Sequence, residues 1–64
     1  MKVILQPEEK EIILPKIKSV RALLNKLNLY PTQALIIRNG ELLTPDEKIY
    51  PKDTIIVRQI TSRG

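Results

Sequence analysis

The sequence predicts an α+β domain in which a mixed sheet of four to five strands wraps on one helix. Three observations predict it. Only one stretch has a helical period: Val20, Leu23, Leu24 and Leu27 fall at i, i+3, i+4 and i+7, a single stripe. Short runs rich in Ile, Leu and Val lie on both sides of it with the two-residue alternation of strands. Asn39-Gly40 between two apolar runs is a hairpin signal, because both turn positions need positive φ. One apolar helix stripe and several half-apolar strands bury each other most economically when the sheet curls around the helix.

Each element follows from local chemistry. KVILQ (residues 2–6) reads as a strand with Val3 and Leu5 on one face and Ile4 on the other. PEEK (7–10) makes the turn, since Pro7 has no N–H to give a ladder and the charged cluster prefers water. EIIL (11–14) pairs back, and Pro15 stops it. Ser19 is placed to cap a helix of about nine residues, its hydroxyl accepting from an orphan amide. Asn28 suits the left-handed residue that closes the helix, and Pro31 bars continuation. A helix this short is marginal alone, so the sheet must hold it. ALIIRNGELL (34–43) is the hairpin, and TPDEKIYPKD (44–53) an irregular connection in which Thr44 or Asp46 starts a short helical turn and Ile49 tucks inward. TIIVRQI (54–60) is the last strand. A right-handed crossover through the helix places the third strand in the same sheet as the first two.

The expected core is Val3, Leu5, Ile12, Leu14, Val20, Leu23, Leu24, Leu27, Leu29, Ile36, Leu43, Ile49, Ile55 and Val57. Alternation then leaves Ile4, Ile13, Ile37 and Ile56, with Ile60, on the opposite sheet face. A face that met only water would be polar. A contiguous isoleucine patch points instead to a partner surface, although β-branched residues also favour strands for their own sake. Arg38 and Arg58 are expected to flank it and supply charge.

Composition narrows the function classes. Sixty-four residues make one small domain, which buries only roughly 60% of its unfolded surface. The chain has no Cys and no His, so disulfides, thiolate metal sites, the usual general base and the familiar nucleophile–histidine pairs are all missing. An enzyme with its own active site is disfavoured; no catalytic residue and no metal ligand is assigned. No apolar run approaches the roughly 20 residues of a membrane span, and MKVILQPEEK is not a signal peptide, so a cytoplasmic protein without a membrane partner is expected. The net charge is +4, with six basic and three acidic groups in residues 1–32 against five and four in residues 33–64. Lys16, Lys18, Arg21 and Lys26 cluster before and along the helix. Nucleic acid is disfavoured as their partner, because Tyr30 and Tyr50 are the only aromatic residues and both lie in proline-containing loops. A solvated helix face is the plainer reading.

The order of elements resembles the β-grasp fold of ubiquitin and of the prokaryotic sulfur carriers of the ThiS/MoaD type. LPKIKSVRALLNKLNL (14–29) is similar to the ThiS pattern of Leu-Pro, a short loop, Ser/Thr-Val, a Leu-Leu helix and a final Leu. IIRNGELL (36–43) resembles the family's strand, Asn-Gly turn and strand, and YPKDTIIVRQI (50–60) its acidic turn and last strand, where an Asp before the strand is typical. Together these segments cover nearly the whole chain. The resemblance implies a β-grasp domain over residues 1–60 and a flexible C-terminal tail over 61–64. It further implies that an ATP-dependent adenylating enzyme of the ubiquitin-activating type activates the carboxylate of Gly64, and that sulfur displaces AMP to leave a thiocarboxylate. Thr61, Ser62 and Arg63 would thread the tail; Ile4, Ile13, Ile37, Ile56, Arg58 and Ile60 would dock. ATP would be the partner's cofactor, with none bound by the chain itself, and a sulfur-accepting synthase would be the second partner. Glycine suits the terminus because, lacking Cβ, it passes a narrow channel and approaches a nucleotide closely. One position departs from the pattern: the family usually ends Gly-Gly, and here Arg63 precedes Gly64.

Three functions fit this reading. The first is a sulfur carrier serving thiamine or molybdopterin synthesis or tRNA thiolation. The second is a ubiquitin-like modifier conjugated through the same carboxylate, and the third a non-conjugating β-grasp interaction module.

Overall fold

A computed structural model describes residues 1–60. The expectations placed on Thr61, Ser62, Arg63 and Gly64 lie outside the described residues. The elements are β1 (Lys2–Gln6), β2 (Lys10–Ile13), α1 (Val20–Lys26), β3 (Ala34–Arg38), β4 (Glu41–Leu42) and β5 (Thr54–Gln59). They form one five-stranded sheet in the order β2-β1-β5-β3-β4, packed against the helix. The central pair, β1 and β5, is parallel, while the other pairings are antiparallel. This mixed sheet on one helix is the α+β ubiquitin-like β-grasp that the sequence predicts.

The signals at the chain's turns act as expected. Ser19 accepts a 3.1 Å hydrogen bond from the Ala22 amide and caps α1. Two further amides of the first turn donate to the 44–53 loop, Val20 to the Glu47 carbonyl at 3.0 Å and Arg21 to the Pro45 carbonyl at 2.9 Å. The helix closes at Lys26, one residue before the apolar stripe ends, because Leu27 is already its C-cap. Asn28 then takes φ 60°. Its amide donates to the Asn25 carbonyl and the Leu29 amide to the Leu24 carbonyl, the paired bonds of a Schellman motif. In the hairpin, Asn39 and Gly40 take φ 55° and 80°, the pair of positive values that a two-residue turn of this hand demands. Thr44 starts a single hydrogen-bonded turn at Pro45–Asp46 that does not develop into helix. β2 ends at Ile13, one residue before the expected stop, yet Leu14 still exchanges two hydrogen bonds with Met1.

The buried core is Val3, Val20, Leu23, Leu24, Ala34, Ile36, Ile49, Ile55 and Val57. Leu5, Ile12, Leu14, Leu27, Leu29 and Leu43 pack against it but remain partly exposed, because they sit on an edge strand, at strand ends or at the helix terminus. Ala34 belongs to the core although it was not among the expected residues. Arg38 corrects the expectation that it flanks the outer patch. It follows Ile36 by two residues and so shares the helix-facing side of β3. There its Nη1 donates to the Lys48 carbonyl and to Asp53 Oδ2, each at 3.1 Å.

Candidate functional site

Strand register decides which isoleucines meet on the face away from the helix. Ile4 lies opposite Ile56 across the parallel β1–β5 pair, and Ile56 lies opposite Ile37 across β5–β3. The line continues to Leu42 on β4, opposite Ile37, and ends on the other side at Glu11 of β2, opposite Ile4. Four apolar side chains therefore run in one transverse row over β1, β5, β3 and β4. Ile4, Ile37 and Ile56 are each half-buried, and Leu42 is 64% exposed.

A second row flanks the first. Arg58 lies between Gln6 of β1 and Leu35 of β3, and its Nε donates to Gln6 Oε1 at 3.1 Å. That bond holds the guanidinium along the sheet beside the apolar row. Ile13 is 71% exposed and sits a row away, opposite Lys2 on the edge strand, at the corner of the patch. Ile60 is 47% exposed just past the end of β5. The structure thus brings Ile4, Ile37, Ile56 and Arg58 together, and leaves Ile13 and Ile60 at the margins. Leu35 and Leu42 belong to the same face but were not singled out from the sequence. The alternation ALIIR carried the signal for Leu35, and the Asn-Gly hairpin register carried it for Leu42.

The sheet also positions the route to the C-terminus. The amide of Ile60, the last described residue, donates to the Gln33 carbonyl at 2.8 Å, so the point from which residues 61–64 depart is fixed to the loop before β3. Beside that loop lies a shallow groove of about 350 Å³ lined by Asn25, Asn28, Leu29, Tyr30 and Gln33. Gln33 spends its side-chain oxygen on the Tyr30 amide at 2.8 Å.

The carboxylates nearest to any function are structural. Asp53 caps the turn before β5, accepting from the Tyr50 amide at 2.8 Å as well as from Arg38. Asp46 has its carboxyl held below the usual carboxylate range, first by the hydrogen bond from the Thr44 hydroxyl, then by its own backbone amide and the nearby Arg21. Among the described residues no three His, Cys, Asp or Glu side chains gather as a metal site. Nor is any helix there long and apolar enough to cross a membrane.

The arrangement is an apolar sheet face with one oriented guanidinium beside it, and Ile60 tied to the loop before β3. No family model matches the chain. The sulfur carrier protein TtuB of Thermus thermophilus is 34% identical to it over 65 aligned positions, which take in the whole of both chains.

Proposed function

The chain belongs to the ThiS/MoaD-type sulfur carriers of the ubiquitin-like β-grasp superfamily, and from that membership we propose that Gly64 is the terminus that carries sulfur. In this reading residues 1–60 are the handle and residues 61–64 the reactive tail, with Thr61, Ser62 and Arg63 threading Gly64 into a partner's active site. The Gly64 carboxylate attacks the α-phosphorus of ATP held by an adenylating enzyme, pyrophosphate leaves, and an acyl adenylate forms. A sulfur nucleophile at the oxidation level of hydrosulfide then adds to the acyl carbon and expels AMP, leaving a thiocarboxylate with no net redox change. The synthase that accepts the sulfur serves thiamine or molybdopterin synthesis or tRNA thiolation, and the ATP requirement places the work in the cytoplasm.

The chain's part in this chemistry is recognition and delivery. The row Ile4, Ile56, Ile37 and Leu42 offers apolar area for docking, with Arg58 beside it to select an acidic counterpart. Ile13 and Ile60 extend that face at its margins. Anchoring Ile60 to Gln33 means that docking the sheet also sets where the tail begins. Catalysis belongs to the partners, which suits a chain with neither His nor Cys.

The observation that carries the reading is the full-length match to a sulfur carrier protein on a chain with the β-grasp sheet order. ATP–pyrophosphate exchange by the cognate adenylating enzyme tests it. The full chain should support exchange and a chain lacking Gly64 should not. Equal exchange from both would refute the assignment of Gly64.

A further inference from the structure

The reading above uses the outer sheet face and the tail. A different feature lies at the start of β5, where two segments remote in sequence meet. Lys16, Ile17 and Lys18, ahead of the helix, face Lys48, Ile49, Tyr50 and Pro51, ahead of the strand. Between them is a groove of about 510 Å³, within the range of about 300–1,000 Å³ usual for ligand clefts.

Its walls are pinned. The Ile49 amide donates to the Lys18 carbonyl at 3.1 Å, and Ser19 and Lys48 form a β-bridge. The Val20 and Arg21 amides hold the carbonyls of Glu47 and Pro45, so the loop cannot swing off the helix without breaking several backbone bonds. Ile49 is buried and Ile17 half-buried in the floor, while Tyr50 stands 54% exposed at the edge.

Charge is segregated around this floor. The loop's carboxylates are already engaged by other groups: Glu47 accepts from the Thr44 amide at 2.9 Å, Asp46 from the Thr44 hydroxyl at 2.7 Å, and Asp53 from Arg38 and Tyr50. Lys16, Lys18 and Lys48 are all exposed. Among the described residues the ion pairs are Lys2–Glu11 and Arg38–Asp53, and neither uses them. An apolar floor is thus rimmed by three lysines whose neighbouring acids are already engaged.

We propose that this groove is a second docking site, for an acidic peptide segment of a partner protein that carries an aromatic or aliphatic residue between its carboxylates. Such a segment matches floor and rim together: the apolar residue covers Ile17, Ile49 and Pro51, and the carboxylates meet the lysines. A nucleic-acid strand would use the rim and leave most of the floor bare, with Tyr50 the one ring to stack on. The groove and Ile60 are at opposite ends of β5, separated by roughly 17 Å at about 3.3 Å per residue. A partner held there leaves the end that leads to Gly64 free, so the site does not depend on the terminal chemistry.

The test uses the full ¹⁵N-labelled chain with three probes: the peptide acetyl-Glu-Glu-Phe-Asp-Glu-amide, its neutral analogue with Gln and Asn for the acids, and a single-stranded oligouridylate. The acidic peptide should shift the amides of Ile17, Lys18, Lys48, Ile49 and Tyr50, and the neutral analogue should leave them in place. The combined variant Lys16→Glu, Lys18→Glu and Lys48→Glu should weaken acidic-peptide binding at least about tenfold, as loss of several rim contacts implies. A control with Lys10→Glu, Lys26→Glu, Thr32→Glu and Gln59→Glu, equal in net charge and placed toward the other end of the sheet, should stay within about twofold, since distant exposed charges are screened. Equal weakening by both variants, tighter binding of the oligouridylate at the same amides, or no shift in the groove would each overturn the proposal. No ATP or activating enzyme is present, so the outcome is independent of whether Gly64 is adenylated.

Discussion

Replacing Asp53 by Ala removes the one carboxylate that ties together the hairpin, the connecting loop and the start of β5. Its Oδ2 accepts from Arg38 Nη1 at 3.1 Å and from the Tyr50 amide at 2.8 Å, and its own amide donates to the Tyr50 carbonyl. The two side chains of the ion pair are only 24% and 20% exposed, so water shields the pair less than it would at an open surface. A hydrogen bond to a charged group contributes about 1.5–3 kcal/mol when shielded, and partial exposure pulls this toward the surface value of about 0–1 kcal/mol. For the pair and the cap together, a loss of about 2–3 kcal/mol follows for Asp53→Ala. Asp53→Asn keeps an oxygen for the Tyr50 amide and should cost about 1 kcal/mol. A domain of this length has a total stability of roughly 3–10 kcal/mol, so the Ala variant loses a large share of it. Its Tm should fall by roughly 10–20 °C. The assay is urea unfolding of both variants, with a double-mutant cycle against Arg38→Met, where a coupling of about 1 kcal/mol is expected. A cost below about 0.5 kcal/mol for Asp53→Ala, or no coupling to Arg38, would refute the reasoning.

Other expectations are as direct. Gly40→Ala should destabilise the hairpin by about 1–2 kcal/mol in urea unfolding, and purely through backbone conformation: φ is 80°, while an added Cβ would meet nothing within 4 Å. A cost near zero would contradict the turn geometry. Because Asp46 titrates below its usual value when folded, the stability it contributes is present above about pH 3.9 and lost as pH falls through its folded value. Thr44→Val should raise that folded value in a carboxyl-resolved NMR titration, and an unmoved midpoint would sink the assignment of cause. Ile56→Glu, at the centre of the outer row, should leave the amide spectrum folded yet weaken docking to the adenylating enzyme more than about tenfold, as a charge set in a desolvated contact does. Undiminished exchange activity at low carrier concentration would place docking elsewhere.

Much of the fold was legible because local chemistry and global packing agree. The stripe at Val20, Leu23, Leu24 and Leu27, the cap at Ser19, the left-handed Asn28 and the Asn39-Gly40 turn each specify one feature, and each sits where its chemistry requires. The outer isoleucines were legible from alternation alone, although only register could show that Ile4, Ile56 and Ile37 share a row while Ile13 stands apart. Arg38 does not flank the outer patch as expected: alternation pairs it with Ile36, and its partners, Asp53 and the Lys48 carbonyl, come from a loop whose position only the fold reveals. Ala34 went unnoticed because a small residue at the start of a strand gives little signal. The lysine-rimmed groove had no local signature, since it arises only when residues 16–18 and 48–51 come together.

The most direct test of the central claim is the intact mass of the chain after incubation with ATP, its adenylating enzyme and a sulfur donor. The account predicts that sulfur replaces one oxygen, that fragmentation maps the exchange to Gly64, and that the change needs both ATP and the donor. An unchanged mass with a demonstrably active enzyme, or sulfur found anywhere but the terminal carboxyl, would contradict it.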